Sequence, residues 1–103
     1  MSQGTCALRL TRRYDIPPDE VWRALTEPAS RARWLGAVPA ELRTLRDGEA
    51  IELVLLDSVA TIELRPDGPG TMLVLEHAGI PAPRGMRAMR LWTEALAALE
   101  EHL

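Results

Sequence analysis

The sequence is poor in cysteine, with Cys6 as the single example in 103 residues. One cysteine cannot form a disulfide bond within the chain, and it cannot supply the paired thiolates of a typical structural zinc site. Cys6 lies in the segment TCALRL, where nothing nearby in the sequence would stabilise a thiolate. We therefore expect Cys6 to act as a small buried hydrophobic residue.

Long apolar runs are also missing. No window approaches the roughly 20 apolar residues that a membrane-spanning helix needs. The first ten residues, MSQGTCALRL, lack the basic start and apolar stretch of a secretory signal. These features predict a cytoplasmic protein without a membrane span.

The chain has no excess of positive charge. Its formal net charge is −3, its pI is about 5.3, and all twelve basic residues are arginine. Nucleic-acid binding depends mainly on a basic surface that releases counterions from the phosphates. The charge balance therefore argues against a nucleic-acid partner.

Recognisable catalytic and metal-binding motifs are lacking as well. His77 and His102 are far apart and have no cysteine or carboxylate at metal-ligand spacing, so we predict no metal. The glycines of DGPG, residues 67–70, are expected to form a hairpin turn with no helix behind it, which excludes a phosphate-binding loop and predicts no cofactor. Ser58 lacks the flanking glycines of a nucleophile elbow and a base nearby in sequence. No catalytic residue is predicted, and an enzymatic role is the less favoured alternative.

The composition, 47% hydrophobic and 26% charged, is that of an ordinary globular domain. A chain of this length supports one hydrophobic core with little to spare. We expect a single domain over residues 1–103.

The first third of the sequence predicts a strand followed by two short helices. TCALRLTRRY, residues 5–14, alternates apolar and polar residues with the period of two that is typical of a half-buried strand. Pro18 suits the first turn of a helix, and Pro28 ends that helix and begins a second one that runs to a left-handed cap at Gly36. Trp22 and Trp34 are expected to anchor these helices, since short helices bury little surface without large side chains.

The segment from Pro39 to His77 predicts four more strands, near residues 41–46, 49–56, 59–65 and 71–77. The turn signals RDGE, LDSV and PDGPG separate them, so neighbouring strands should pair as an antiparallel meander. One face of this sheet is strongly apolar. The other face is mixed, because it carries Val54, Leu56, Met72 and Val74 among its charged residues.

Residues 86–103 predict a long amphipathic helix. Its apolar residues recur every three or four positions and form one stripe, which consists of Met89, Trp92, Leu96, Leu99 and Leu103. Arg84, Arg87 and Arg90 lie on another face, where solvent exposure is the simplest interpretation and contact with an anionic group is the alternative. Strands grouped together, with helices before and after them, indicate an α+β fold.

The sequence also resembles a known family. The segments PPDEVWRALTEP, with Trp34 after it, GTMLVLEH, and Trp92 in a final helix are similar in kind and order to the activator of Hsp90 ATPase homologue branch of the START-like, or SRPBCC, superfamily. The resemblance spans most of the chain. It implies the helix-grip fold, which is also called START-like or Bet v 1-like. In that fold an antiparallel sheet, here of about five strands, wraps around the long C-terminal helix, and two short helices close one end.

The resemblance further implies an apolar cavity between the sheet and the last helix. On that basis we expect binding of a small hydrophobic molecule such as a lipid, an aromatic compound or a polyketide-like compound. His77, at the end of a strand, is expected at the cavity mouth. The residues expected to line the cavity are Trp34, Leu53, Leu55, Ile62, Leu73, Leu75, His77, Met89 and Trp92.

One departure from the family leaves alternatives open. Only 26 residues separate Trp34 from Thr61, fewer than family members have, so strands are expected to be missing or shortened. A smaller sheet leaves an open edge. This motivates a homodimer through the sheet edge or through the outer face at Val54, Leu56, Met72 and Val74. The alternatives to ligand binding are a protein-interaction module like the Hsp90 activators and a cyclase or hydrolase acting on a polyketide-like substrate.

Overall fold

The computed structural model describes residues 4–36 and 40–103, and Pro39, where the strand-rich segment begins, lies outside these ranges. In the described part the chain forms five strands, namely β1 (Thr5–Tyr14), β2 (Glu41–Arg46), β3 (Ala50–Val54), β4 (Val59–Asp67) and β5 (Gly70–Pro81). All five predicted strands are present. β4 and β5 extend beyond the predicted ends because each pairs along its whole length with a neighbour.

The helices begin and end where the prolines and glycine predict. In the described residues they are α1 (Pro18–Thr26), α2 (Pro28–Trp34), a single 3₁₀ turn (Ala82–Arg84) and α3 (Gly85–Glu101). Both short helices start with proline, whose missing N–H costs nothing in a first turn. Gly36 follows α2 with a positive φ of 61°, as predicted for the cap.

The sheet is fully antiparallel, with the strand order β1-β5-β4-β3-β2. β2 to β5 form the predicted meander, and β1 pairs with β5, so that the first strand lies beside the last. Thr5 pairs with Pro81 at one end of this pair and Tyr14 with Thr71 at the other. β1 and β2 are therefore the two edge strands.

The core lies between one face of the sheet and the three helices. α3 contacts β1, β5 and α2, and α1 contacts β4 and β5. Most buried apolar side chains of the described residues belong to one cluster, which includes Leu25, Trp34, Ile51, Leu53, Ile62, Leu73, Leu75, Trp92, Leu96 and Leu99. This arrangement confirms the predicted α+β class and the helix-grip fold.

The hydrophobic stripe of α3 is buried in its middle and more open near its start. Trp92, Leu96 and Leu99 are almost completely buried, whereas Met89 is 40% exposed. At the helix start, a Cβ atom on Gly85 would lie 2.9 Å from the sulfur of Cys6. Cys6 is half-buried rather than fully buried as expected, and its sulfur would have to shift to make room for a side chain at position 85.

The apolar residues on the mixed outer face of the sheet differ widely in exposure. Val74, whose partners in the sheet are Thr11 and Glu63, is only 6% exposed. Val54 and Met72 are half-buried. Leu56, at the tip of the β3–β4 hairpin, is 95% exposed. A homodimer through this face stays a prediction.

Candidate functional site

A small pocket opens where the β3–β4 hairpin, the end of β5 and the start of α3 meet. Its volume is about 130 Å³. Its apolar wall comes from the hairpin, β5 and α3, and its polar rim includes one histidine, one serine, one carboxylate and two arginines. The lining residues are Leu55, Asp57, Ser58, His77, Ile80, Arg84, Arg87, Ala88 and Leu91.

His77 lies at the centre of a chain of hydrogen bonds beside this pocket. The indole Nε1–H of Trp92 donates to His77 Nδ1 over 2.8 Å, and His77 Nε2 lies 2.7 Å from Ser58 Oγ. Ser58 Oγ lies 3.0 Å from Asp57 Oδ1, and Arg84 donates to the other oxygen of the same carboxylate. The chain thus links α3, β5, the β3–β4 hairpin and the 3₁₀ turn.

The partner of each nitrogen determines the tautomer of His77. An indole N–H can only donate, so His77 Nδ1 must be unprotonated and Nε2 must carry the proton. Nε2–H then donates to Ser58 Oγ, and the Ser58 hydroxyl donates to Asp57. Every donor in the chain has an acceptor, although His77 is only 4% exposed.

Burial also keeps His77 neutral. Because the charged imidazolium is poorly solvated there, burial lowers the pKa of His77 below its usual 6.5, and the nearby Asp57 carboxylate opposes this shift only in part. An imidazolium would also present an N–H at Nδ1 to the N–H of Trp92. The neutral form is therefore favoured by both solvation and hydrogen bonding.

Ser58 has a base beside it, contrary to the expectation from its sequence neighbours. The arrangement nevertheless does not activate the hydroxyl. A serine nucleophile needs an unprotonated histidine nitrogen to take its proton, whereas His77 Nε2 donates to Ser58. The carboxylate also contacts the serine rather than the histidine. The geometry suits fixed polar groups at a binding pocket better than covalent catalysis.

The two arginines at the pocket differ in their pairing. Arg84 forms an ion pair with Asp57. In residues 4–36 and 40–103, Arg87 has no carboxylate within ion-pair distance and no hydrogen-bond partner for its guanidinium. At the pocket, the positive charge of Arg84 is therefore balanced by Asp57, whereas that of Arg87 is not balanced by a neighbouring carboxylate.

Comparison with solved structures gives strong matches. Protein CV1439 from Chromobacterium violaceum is 22% identical, with a TM-score of 0.79, over 95% of this chain and 97% of its own. CalU16 from Micromonospora echinospora is 26% identical, with a TM-score of 0.77, over 93% and 73% of the two chains. DynU16, from the dynemicin biosynthetic locus, is 17% identical, with a TM-score of 0.77, over 93% of this chain and 46% of its own.

The likeness shows a shared fold. No protein-family model matches the sequence, and comparison with curated proteins gives no significant match. The helix-grip arrangement thus rests on the structure itself and on these solved structures.

The nine predicted cavity residues fall into three groups. Six are buried in the core cluster, namely Trp34, Leu53, Ile62, Leu73, Leu75 and Trp92. Leu55 and His77 line the pocket, and Met89 is partly exposed on α3. The structure therefore brings two of the nine to the pocket itself, and Trp92 reaches it indirectly through its hydrogen bond to His77.

Several pocket residues were absent from the sequence-based set, including Ser58, Ile80 and Leu91. The sequence contained one indication that Ser58 would lie near His77. β4 and β5 are joined by a two-residue loop, Gly68–Pro69, so Asp67 is opposite Gly70. Counting back along the two strands from this turn places Ala60 opposite His77. Ser58, two residues before Ala60 in the same hairpin, is then a diagonal neighbour of His77.

Two further features concern metals and membranes. In the part of the chain that the structure describes, no three His, Cys, Asp or Glu side chains are grouped closely enough to hold a metal ion. None of the described helices combines the length and the hydrophobicity required to cross a bilayer.

The free energy of unfolding is expected to fall as the pH drops below about 6.5. His77 has a lowered pKa in the folded protein, so the unfolded chain binds the proton first. Stability is therefore fully present above pH 6.5 and is lost between that value and the folded-state pKa. The pKa of Glu63 is also lowered, chiefly by the hydrogen bond from Arg65, but its contribution to stability begins to be lost only near pH 4.5. Urea unfolding across the pH range measures the effect.

His77→Gln should flatten this part of the pH profile, and His102→Gln, which changes the exposed histidine at the end of α3, is the matched control. Parallel profiles for the parent and His77→Gln between pH 6.5 and the acid limit of reversible unfolding would contradict the assignment.

Proposed function

We propose that the protein binds a small apolar molecule without catalysing a reaction, and that the pocket beside His77 is the binding site. The observation that carries this proposal is the apolar wall of the pocket together with a few fixed polar groups. Such a combination is typical of sites for small molecules. Leu55, Ile80, Ala88 and Leu91 supply the wall.

The hydrogen-bond chain supports a binding role for His77. Trp92, His77 and Ser58 hold one another in fixed positions, so the polar side of the pocket is organised before a ligand arrives. Preorganised groups lose little conformational entropy on binding. The position of the pocket, at the start of α3 next to the sheet, also agrees with the cavity mouth that the family resemblance implies.

The resemblance itself belongs to the same proposal. We propose that residues 1–103 form one shortened domain of the START-like superfamily, near the activator of Hsp90 ATPase homologue branch. The likeness to DynU16, a protein of the dynemicin biosynthetic locus, is the reason to include polyketide-like compounds among the probes.

A thermal-shift screen with lipids, single-ring aromatics and polyketide-like compounds tests the proposal. A ligand present at 100 times its Kd stabilises the folded state by about 2.7 kcal/mol. For a chain of this size that corresponds to a rise in Tm of about 10 °C or more. Ala88→Leu should remove the shift, because the added side chain fills the pocket that Ala88 lines.

Ala97→Leu is the matched control for this experiment. Ala97 lies on the same helix but is exposed, so the same chemical change leaves the pocket open. If no compound raises the Tm, or if the shift persists in Ala88→Leu, the proposed binding site is refuted.

A further inference from the structure

The size of the pocket restricts what can enter it. Its volume is about 130 Å³. An engineered apolar cavity of about 150 Å³ in another protein holds one benzene molecule. The pocket therefore accommodates a single ring or a short alkyl chain, and a long acyl tail or a fused polycycle would extend into solvent.

The charges at the rim restrict the ligand further. Arg84 is neutralised by Asp57, and Asp57 also accepts a hydrogen bond from Ser58. His77 is kept neutral by its burial, and the hydrogen bond from Trp92 to its Nδ1 fits the same form. Among the residues that line the pocket, Arg87 is then the charged side chain without an ion-pair partner, and Arg90, about one helical turn further along α3, does not line the pocket.

We infer, on the basis of the proposed function, that the ligand is a small carboxylic acid. Its ring or short alkyl chain packs against Ile80 and Leu91, and its carboxylate is bound by Arg87. A guanidinium is well suited to this task, because its N–H groups can bind both oxygens of a carboxylate.

Phenylacetate and phenylacetamide test this inference, since they have nearly the same shape and differ in charge. Titration calorimetry at neutral pH should show phenylacetate binding at least about tenfold more tightly, as expected for a charge-assisted hydrogen bond. The difference should shrink as the salt concentration rises, because the pair is near the surface.

Three variants distinguish a specific contact with Arg87 from a general effect of positive charge on the binding of phenylacetate. Arg87→Gln should abolish the preference for the acid, whereas Arg90→Gln, the matched control outside the pocket, should retain it. Asp57→Asn removes the counter-charge of Arg84 and should tighten phenylacetate binding severalfold. Circular dichroism of each variant verifies that it is folded.

Equal affinity for the acid and the amide would overturn the inference, as would an equal loss of preference in Arg87→Gln and Arg90→Gln. If neither compound binds while an apolar compound gives a thermal shift that depends on Ala88, the proposed function stands and the carboxylic-acid inference fails. If no compound of either set binds, the proposed function fails as well.

Discussion

Trp92→Ala is expected to lower the free energy of unfolding by about 3–5 kcal/mol, the usual cost of removing a buried tryptophan or phenylalanine side chain. Trp92 is fully buried in the core cluster and donates its indole N–H to His77. The variant therefore leaves a cavity under α3 and deprives a buried acceptor of its donor. Chemical denaturation with urea at pH 7.5 measures the loss, provided that the m-value is unchanged.

Trp92→Phe separates the two contributions and covers the case in which Trp92→Ala does not fold. Phenylalanine retains most of the apolar contact but lacks the N–H, so the expected loss is about 1–3 kcal/mol from the unpaired His77 Nδ1. The ¹⁵N chemical shifts of His77 give an independent measurement, since the parent should show only the tautomer with the proton on Nε2.

A double-mutant cycle with His77→Leu completes the comparison, since leucine cannot accept the indole N–H. If Trp92→Phe has the same cost in the parent and in the His77→Leu background, the hydrogen bond between the two side chains does not contribute to stability, and the fixed tautomer loses its support.

The sequence predicted the local elements well because their signals are themselves local. Pro18 and Pro28 set the starts of both short helices, and Gly36 supplied the positive φ after the second one. The period of two in residues 5–14 gave β1 with the correct ends. In each case one residue or one short pattern acts through its own backbone geometry or its own alternation of faces.

The pairing of β1 with β5 could not be predicted from local sequence patterns. Thr5 and Pro81 pair although 75 residues lie between them, and nothing in either segment specifies the other as partner. The family resemblance, rather than any local pattern, led to the correct fold. The additional length of β5 is a consequence of this pairing, because β1 supplies hydrogen-bond partners as far as Pro81.

The candidate site was predictable only in part, for the same reason. His77 was expected at the mouth of a cavity, and it does line a pocket. Its contacts with Ser58 and Trp92 depend on the hairpin register and on how α3 sits on the sheet. The register follows from a two-residue turn, but the position and rotation of a packed helix depend on many side chains together. The ion pair of Arg84 with Asp57 likewise required the three-dimensional structure.

Trp34→Ala is the second substitution from which we expect a large effect, again a loss of about 3–5 kcal/mol. Trp34 ends α2, is 2% exposed, and donates its Nε1–H to the carbonyl of Leu25 over 3.2 Å. That carbonyl lies in the last turn of α1, where backbone acceptors have no partner within the helix. The side chain thus fixes α1 against α2 and fills the space between the two short helices and α3. Urea unfolding measures the loss, and Trp34→Phe should lose only about 1 kcal/mol through the missing hydrogen bond.

Trp22→Ala is the matched control for the role of Trp34. Trp22 belongs to α1 and is packed against the core, but it is only half-buried, so its removal leaves a smaller cavity and should cost less. A Trp34→Ala variant no less stable than Trp22→Ala would contradict the anchoring role. Because the two short helices bury few other large side chains, Val21 and Leu25 would then have to hold them in place. Mutating these two residues would identify the true anchor.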